Sequence, residues 1–361
     1  MKQGLRVLVT GAGGIAGVNF VRALRASRST PYVVGTEYNR YYINFPDLEK
    51  RYRTPRHSDP AFIEKVSSIV EEDRIEFVHP QPSSEALVIA QNREKIGATT
   101  FLPNSKVMEI GQDKLTTQEF LEGAGVPVAK TWHPKAPGEV SEAFKKMGAP
   151  LWVRARHGAG GRLSLLCDTP EEAEYWIKLW VTKGTSSDEF IVQEYLPGRN
   201  IAWDSIWKDG KLVTSYCRER LEYPLKHVSP SGITGTPSVA RTVSDPEVNK
   251  VSVQAVLAVD PKPNGVYSVD LKDGQDGRPR ITEVDAGKFH STMPLWGYVA
   301  VTELGLDWYA NLPDLYISLG TGEDVDGVPQ FDLIPAGYYM LRNIDCGVML
   351  WKENGWKKRV L

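Results

Sequence analysis

The first part of the chain alternates short apolar runs with stretches of helical periodicity. The apolar runs are "LRVLVTG" (5–11), "PYVVGTE" (31–37), "IEFVHPQ" (75–81) and "TTFLPN" (99–104), and the helical stretches span 14–27, 60–72 and 84–96. Short strands that alternate with helices are typical of a parallel, doubly wound sheet. The pattern therefore predicts an α/β domain over residues 1–110.

The rest of the chain has a different pattern and divides into two regions. Residues 111–200 begin with the helical stretch "DKLTTQEFLEGAG" and continue with strands, which predicts a smaller α+β lobe. Residues 201–361 contain apolar stretches interrupted by Asp-Gly or Asn-Gly pairs, which are typical of hairpin turns. They predict a strand-rich lobe, in which the Gly-, Ser- and Pro-rich segment 222–242 forms a mobile loop.

Composition and charge narrow the function classes. The chain has 361 residues, 24% of them charged, and a net charge of -2, so nothing favours a nucleic-acid or membrane partner. Cys167, Cys217 and Cys346 are scattered, without the paired spacings of zinc or redox sites, and we expect them to be buried in a reducing compartment. The first apolar run is too short for a secretory signal, which favours a cytoplasmic protein.

The stretch "VLVTGAGGIAG" (7–17) places a glycine turn between a strand and a helix. Such a turn can hold the pyrophosphate of a dinucleotide, and Glu37 falls where an acid would bind the ribose. The same glycines also occur where a helix packs tightly on a strand without any ligand. No tyrosine has a lysine four residues later, so the acid of a related reductase is missing and we expect no NAD site.

Three carboxylates are predicted to meet in the stretch "GVYSVDLKDGQDGRPRITEVDAGKFHST" (265–292). A hairpin turn near 275–277 would bring Asp270 opposite, or nearly opposite, Glu283. Asp285 points the same way as Glu283, because side chains alternate along a strand. Oxygen ligands without His or Cys suit Mg²⁺, although acids near a turn are also common as solvated residues.

Two further motifs offer contacts for a nucleotide. In "VRARHGAGG" (153–161), a strand carries Arg154 and Arg156 and runs into a loop with His157, Gly158, Gly160 and Gly161, which suits phosphate, although a plain hairpin turn has the same composition. In "FIVQEYLPG" (190–198), a strand leaves the core at Gln193–Leu196, where backbone groups could bind an adenine edge.

The order of these motifs, over nearly the whole chain, resembles the ATP-grasp superfamily, in particular carboxylate–amine ligases similar to the large-subunit halves of carbamoyl-phosphate synthetase. The resemblance implies a Rossmann-like pre-ATP-grasp domain (1–110), which usually does not bind NAD. It further implies a two-lobed ATP-grasp fold, with a small lobe (111–200) and a large lobe with the metal site and a C-terminal hairpin (201–361).

The resemblance also implies residue roles. The nucleotide would be bound by Lys114, Arg154, Gly158, Gly160, Gly161, Gln193, Glu194, Tyr195, Leu196, Asn200 and Asp204. Asp270, Glu283 and Asp285 would bind Mg²⁺, with Mn²⁺ as a substitute, and Arg154, Lys288 and Glu283 would act in catalysis. Asn200 replaces the usual ribose-binding acid, Asp285 replaces an asparagine, and Lys288 stands one residue beyond the usual arginine.

The implied reaction is ATP-dependent amide formation through an acyl phosphate. The alternatives are phosphoryl transfer to a carboxylate without ligation, as in a carbamoyl-phosphate-type or kinase-like enzyme, and a nucleotide sensor without turnover. The expected partners are a small carboxylate and an amine, one of them an amino acid or a related metabolite, and a homodimer is left open.

The residues that contact the substrate are the ones that the sequence indicates least specifically. Candidates are Ser84, Glu85, Arg156, His157, Arg218 and Arg220. Ser84 and Glu85 follow a strand of the first domain and could hold an ammonium group, but Ser83 or Ser84 could equally cap a helix. The arginines could hold a carboxylate or phosphate, or lie free on the surface.

Overall fold

Three β-sheets organise residues 3–343, 347–354 and 356–360, the part of the chain that the computed structural model describes. The first sheet has four parallel strands in the order β3-β2-β1-β4. Its strands are β1 (Arg6–Thr10), β2 (Tyr32–Glu37), β3 (Lys50–Arg53) and β4 (Phe77–Pro80), and its helices are α1 (Ile15–Arg25), α2 (Ala61–Glu72), α3 (Ser83–Gln91) and α4 (Arg93–Ile96). The predicted parallel α/β sheet is confirmed.

Two details of this sheet differ from the prediction. The run "TTFLPN" does not form a full strand, since only a bridge between Phe77 and Thr99 joins it to β4. Pro103 follows closely and has no N–H with which to extend the pairing. The edge strand β3 carries the charged sequence "KRYR", whose lack of an apolar run gave no strand signal.

The second sheet is antiparallel, in the order β5-β8-β6-β7. Its strands are β5 (Thr131–Trp132), β6 (Leu151–Ala155), β7 (Leu165–Cys167) and β8 (Phe190–Glu194), preceded by α5 (Ser105–Gln112) and α6 (Lys114–Gly123) and covered by α7 (Val140–Met147) and α8 (Pro170–Thr182). Val153, Ile177 and Phe190 are fully buried in an apolar cluster that belongs to this lobe alone.

The third sheet is antiparallel, in the order β13-β12-β9-β10-β11-β14-β15-β16. Its strands are β9 (Asn200–Lys208), β10 (Lys211–Glu222), β11 (Val239–Val243), β12 (Gly265–Asp273), β13 (Pro279–Ala286), β14 (Tyr339–Asn343), β15 (Gly347–Trp351) and β16 (Lys357–Arg359), with helices α9 (Pro246–Val259), α10 (Met293–Thr302) and α11 (Leu312–Gly320). The predicted turn at Asp209-Gly210 joins β9 to β10, and both residues have positive φ, as such a turn requires.

The first domain shares its core with the end of the chain. Phe20 of α1 lies in one apolar cluster with Trp296 of α10 and Tyr316 of α11, all of them almost completely buried. The helices α10 and α11 therefore pack on the first domain although they follow the third sheet in sequence.

Other predictions concern cysteines and membrane segments. Cys167 and Cys217 are free and buried, as expected, and Cys346 lies outside the described residues. No helix in the described ranges combines the length and hydropathy needed to cross a bilayer.

The glycine turn (residues 11–17) is held by close backbone contacts. A Cβ atom on Gly17 would lie 2.4 Å from the Gly11 carbonyl oxygen and 2.7 Å from the Ala12 Cα. We therefore expect Gly17→Ala to lower the free energy of unfolding by about 2 kcal/mol in urea titrations, because backbone atoms must move. Gly123→Ala is the control, since nothing lies within 4 Å of its Cβ and it should be neutral or slightly stabilising. Equal stability of the two variants would refute the packing argument.

Candidate active site

A cavity of about 610 Å³ lies where the glycine turn, the second sheet and the third sheet meet. Its first-domain wall contains Gly11, Gly14, Gly17 and Pro82, and Arg154 and Tyr195 line it from the second sheet. The glycines that suggested a dinucleotide site thus face a cavity shared by all three sheets.

The pairing of β12 with β13 brings the three predicted carboxylates to this cavity. Asp270 lies directly opposite Glu283, as predicted, and Asp285 lies opposite Ser268. Asp270, Glu283 and Asp285 all line the cavity, and we call them the carboxylate wall.

A basic side chain neutralises each member of the carboxylate wall. The two terminal guanidinium nitrogens of Arg220 donate to Asp270, at 2.6 and 2.8 Å. Arg154 donates to Glu283, and Lys288 Nζ lies 3.1 Å from Asp285 Oδ2. The cations that these anions need are therefore supplied by the protein itself.

Basic neighbours keep Asp270 and Asp285 ionised. Burial acts to raise the pKa of Asp270, but Arg220 and His290 outweigh it and hold that pKa below its usual value. Burial also acts on Asp285, where Lys288 and His290 together lower the pKa. Asp270 and Asp285 are therefore carboxylates, not carboxylic acids, near neutral pH.

The donor chemistry of the carboxylate wall fits Mg²⁺. Three carboxylates on one cavity wall offer the oxygen ligands that this ion prefers. Within the described ranges, however, no three His, Cys, Asp or Glu side chains are arranged to hold a metal ion, because each acid of the wall faces a basic partner. A metal would require these basic side chains to turn toward other anions.

His290 connects the carboxylate wall to a buried ion pair. Its Nε2 lies 3.2 Å from Asp285 Oδ2, and its Nδ1 lies 3.0 Å from Asp204 Oδ1. Asp204 is fully buried and paired with Arg218. Asp204 therefore lies behind His290, not in the cavity wall where a direct nucleotide contact was predicted, whereas Arg218 and Arg220 do line the cavity.

Two loops cover the cavity. In the 157–164 loop, Gly160 and Gly161 line the cavity with φ of +75° and +74°, a conformation that favours glycine. A Cβ on Gly161 would lie 2.8 Å from Ile233 Cβ, so this loop touches the 223–238 loop that joins β10 to β11. The predicted long loop is therefore part of the cavity, with Ile233 and Thr236 in its lining.

Lys114 and Gly158 lie just outside the cavity. Lys114 is 5% exposed, and its Nζ donates to the Gly158 carbonyl at 2.6 Å and lies 3.8 Å from Glu283 Oε2. Burial lowers the pKa of Lys114, with Glu283 opposing the effect. Lys114 thus holds the base of the 157–164 loop next to the carboxylate wall.

Two of the residues predicted to bind substrate, Arg156 and His157, form ion pairs outside the cavity. Arg156 pairs with Asp113 and Asp188, at 2.6 and 2.9 Å, and His157 Nδ1 lies 2.9 Å from Glu189 Oε2. Neither residue lines the cavity, and both side chains are held by these acids instead. That Arg156 and His157 bind substrate stays a prediction, made for two residues that lie outside the cavity lining.

The start of α3 also differs from expectation. Pro82 is the N-cap residue and no side chain caps the helix, so the capping alternative for Ser83 and Ser84 is wrong. Ser83 lines the cavity and Ser84 does not.

The residues Gln193–Leu196 line the cavity at the end of β8, where an adenine contact was predicted. Gln193 Nε2 donates to Thr131 Oγ1 at 2.8 Å, and the Glu194 N–H donates to the Lys130 carbonyl at 3.0 Å. Asn200 lines the same region and donates to the Tyr223 hydroxyl at 3.2 Å.

Sequence reasoning missed Lys272, Tyr223 and His290, all of which line the cavity. Lys272 follows Asp270 by two residues on β12, so strand alternation would have placed it on the same face. Its Nζ lies 5.5 Å from the centre of the Tyr195 ring, and burial and Arg154 both lower its pKa. Lys272 is thus a cation between the carboxylate wall and Tyr195.

Glu85 lies next to the glycine turn, since its Oε2 is 3.5 Å from the position that a Cβ on Gly11 would occupy. It is 6% exposed, and its Oε2 has no hydrogen-bond partner in the described structure. Burial raises the pKa of Glu85 to about 7, with Thr10 lowering it and Glu37 raising it further. Glu37, predicted as a ribose-binding acid, is 4% exposed and accepts the Asn39 N–H at 3.1 Å.

Comparison with solved structures shows which fold this is. The biotin carboxylase domain of 2-oxoglutarate carboxylase from Hydrogenobacter thermophilus, solved with MgADP and bicarbonate, superposes with a TM-score of 0.69 over 97% of this chain and 74% of that one, at 18% identity. An L-amino acid ligase from Bacillus licheniformis gives 0.70 over 94% and 80%, at 16% identity. N5-carboxyaminoimidazole synthetase from Staphylococcus aureus gives 0.67 over 94% and 83%, at 15% identity. The chain has the ATP-grasp fold, preceded by a Rossmann-like domain.

Sequence comparison agrees. The chain is 23% identical over 78% of its length to the arginine-specific large chain of carbamoyl phosphate synthase from Neurospora crassa. It is 24% identical over 66% of its length to the corresponding large chain from Clostridium beijerinckii. A phosphoribosylamine–glycine ligase from Synechocystis is 30% identical over 35% of this chain. No family model matches. The matches span only 25%, 23% and 30% of those three proteins.

The position of Glu85 leads to a prediction on pH and stability. A carboxyl group whose pKa is about 7 in the folded protein, against 4.5 ordinarily, binds more protons when folded, so stability falls as pH rises between these values. Glu85→Gln should therefore be more stable than the parent at pH 8, by up to about 3 kcal/mol, and should differ little at pH 4.5. Urea unfolding at the two pH values measures this.

Glu94→Gln is the matched control, because Glu94 is exposed on the neighbouring helix α4. It should leave the pH dependence unchanged. A Glu85→Gln variant that is no more stable than the parent at pH 8 would show that ionisation of Glu85 does not destabilise the folded protein.

Proposed function

We propose that this protein is an ATP- and Mg²⁺-dependent, ADP-forming ligase that joins a carboxylate to an amine through an acyl phosphate. The observation that carries the proposal is a single cavity lined by the three acids of the carboxylate wall, by five arginine and lysine side chains and by a glycine loop. Likeness to ligases and to a domain solved with MgADP supports it.

The nucleotide base would lie at the end of β8, against Gln193–Leu196, which line the cavity. The Glu194 N–H and carboxylate are used inside the protein, by the Lys130 carbonyl and N–H, so its carbonyl is the group we assign to the base. Tyr195 offers a ring face, and Asn200, oriented by Tyr223, offers an amide to the ribose.

The phosphates would lie between the carboxylate wall and the glycine loop. Arg154, Arg220 and Lys288 are now paired with Glu283, Asp270 and Asp285. They would turn toward the phosphate oxygens and leave these acids free. Asp270, Glu283 and Asp285 would then hold Mg²⁺, which supplies positive charge to the phosphate oxygens. The basic side chains and the ion thus exchange places around the same anions.

Catalysis would rest on positioning and charge. Arg154 and Lys288 would stabilise the charge that spreads over the transferred phosphoryl group. His290, held by Asp204 on one side and Asp285 on the other, would fix the orientation of the Asp285 carboxylate. The 157–164 and 223–238 loops, which touch each other above the cavity, would exclude water from the acyl phosphate.

A mixed-substrate assay tests the proposal. The protein is incubated with ATP, Mg²⁺ and pools of carboxylic acids and amines, and ADP and new masses are followed. A new mass that equals acid plus amine minus water supports the ligase. ADP formation that depends on an acid but gives no amide would indicate phosphoryl transfer alone. Nucleotide binding without ADP in any pool would favour a sensor and contradict the proposal.

Glu283→Gln tests the carboxylate wall. Glu283 is the acid of the wall that pairs with Arg154 and lies 3.8 Å from Lys114 Nζ, and the change removes one anion while keeping the shape of the side chain. We expect turnover to fall by about 10²- to 10³-fold, the usual effect of losing one charge-stabilising group. Asp276→Asn, in the exposed turn of the same hairpin, is the control and should keep parental turnover. Parental turnover in Glu283→Gln across a Mg²⁺ titration would place the metal site elsewhere.

Lys272→Met tests the nucleotide position. Lys272 lines the cavity beside Tyr195, and the Met side chain keeps its length but not its charge. We expect the Kd for ADP, measured by calorimetry, to rise about tenfold, the equivalent of about 1.4 kcal/mol. Lys211→Met, an exposed lysine on β10, should leave the Kd unchanged. An unaltered Kd in Lys272→Met would mean that the nucleotide binds away from Tyr195.

A further inference from the structure

The 287–292 segment links β13 to α10 and carries two side chains that face the carboxylate wall. Lys288 Nζ lies 3.1 Å from Asp285 Oδ2, and His290 Nε2 lies 3.2 Å from the same oxygen. The segment forms neither helix nor strand. The position of its backbone therefore depends on contacts with other elements.

Two buried amides of the first domain hold the backbone of this segment. Gln81, directly after β4, donates from Nε2 to the Phe289 carbonyl at 2.7 Å. Asn19 of α1 donates from Nδ2 to the Ser291 carbonyl at 2.8 Å. Asn19 is 5% exposed and Gln81 is 4% exposed. Because the two carbonyls belong to the neighbours of His290, the first domain holds the segment on both sides of that residue.

Each amide is itself oriented by a second contact. His79 Nε2 lies 3.0 Å from Gln81 Oε1, and Arg22 Nη1 donates to Asn19 Oδ1 at 2.9 Å. Burial lowers the pKa of His79 to about 4, so its ring is neutral near pH 7 and must carry its proton on Nε2 to meet an amide oxygen. With each amide oxygen held by a donor, the NH₂ group of each amide faces the segment.

The Phe289 ring anchors the middle of the segment in the core. It is 1% exposed, and its centroid lies 5.3 Å from that of Phe20 and 5.5 Å from that of His79. Apolar packing and the hydrogen bond from Gln81 thus act on the same residue. The backbone at Phe289 cannot shift without disturbing the first domain, while its two chain neighbours turn toward the acids.

We propose that Asn19 and Gln81 are positioning residues through which the first domain places Lys288 and His290 against the carboxylate wall. Asn19 does not line the cavity, and both polar atoms of the Gln81 side chain are engaged within the protein, so both residues act through the segment. The catalytic use of Lys288 rests on the proposed function, whereas its placement does not.

Lysine labelling tests the placement in the protein alone, without nucleotide or metal. Brief reductive methylation with formaldehyde and a borohydride is followed by mass spectrometry at each lysine. Lys288 is 16% exposed and paired with Asp285, so it should react slowly in the parent. Gln81→Met keeps the length of the side chain but removes the donor. We expect Lys288 to react about fivefold faster, because the loss of one hydrogen bond favours opening of the segment.

Lys272 is the internal reference, since it lines the same cavity from β12 and not from the segment. A general loosening of the protein would accelerate both lysines, whereas a lost positioning contact should accelerate Lys288 alone. Unchanged labelling at Lys288, or an equal increase at Lys288 and Lys272, would overturn the proposal.

Asn19→Leu is the second variant in case Gln81→Met does not fold, because it removes the other hydrogen bond and keeps the branched shape of the side chain. It should give the same selective increase. Gln330→Met and Asn44→Leu are the matched controls, since both amides are exposed and donate to backbone carbonyls elsewhere. Neither control should change the labelling of the 287–292 segment.

Kinetics provide a second measurement once the ligase assay has identified a substrate. We expect kcat in Gln81→Met to fall about tenfold, the lower end of the usual effect of losing a contact that orients a functional group. The Kd for ADP should stay parental, because Lys272 and Gln193–Leu196 lie on other elements. A rise in the ADP Kd together with an unchanged kcat would contradict the positioning role.

The two proposals fail in different ways. Labelling uses neither ATP nor Mg²⁺, so selective acceleration at Lys288 without ligase activity would keep the positioning residues and remove the proposed function. Ligase activity with unaltered labelling in the Gln81 and Asn19 variants would keep the function and remove the positioning residues.

Discussion

The register between β12 and β13 is the constraint on which the site depends. It sets Asp270 directly across from Glu283, and the alternation of side chains brings Asp285 to the same wall. A slip of one residue would send one partner's carboxylates to the opposite face. Arg154 from the second sheet and Arg220 from β10 then reach these acids, so one strand pairing organises contacts from two sheets.

Charge compensation explains how such a wall can exist in a folded protein. Three carboxylates on one cavity wall would repel each other strongly, and Arg220, Arg154 and Lys288 remove that cost. The same pairing prepares the basic side chains near the place where phosphates are expected. The same ion pairs thus stabilise the protein without ligand and place the basic side chains where a ligand's phosphates are expected.

The sequence predicted the sheets better than the side-chain directions. The alternating apolar runs located the parallel sheet, and the turn near 275–277 located the hairpin with its carboxylates, because both depend on local periodicity. Arg156 and His157 do not line the cavity but pair with acids. The sequence did not indicate these pairs, because the partners Asp113, Asp188 and Glu189 are distant in sequence or unremarkable there. Asp204 looked like a ligand contact, but burial in the middle of the third sheet turned it toward Arg218 and His290. Lys272 could have been predicted by the same alternation of side chains that placed Asp285 beside Glu283.

The shared core of α1, α10 and α11 has a mechanical consequence. Phe20, Trp296 and Tyr316 belong to one continuous apolar cluster, so the first domain and the third sheet share one hydrophobic core and form a single packed unit. The second sheet has its own core, around Val153, Ile177 and Phe190. If the cavity opens and closes during a reaction cycle, the hinge must therefore lie at residues that flank the second sheet. The distance between the glycine turn and the carboxylate wall would then stay fixed. The lobe with Arg154 would move relative to both.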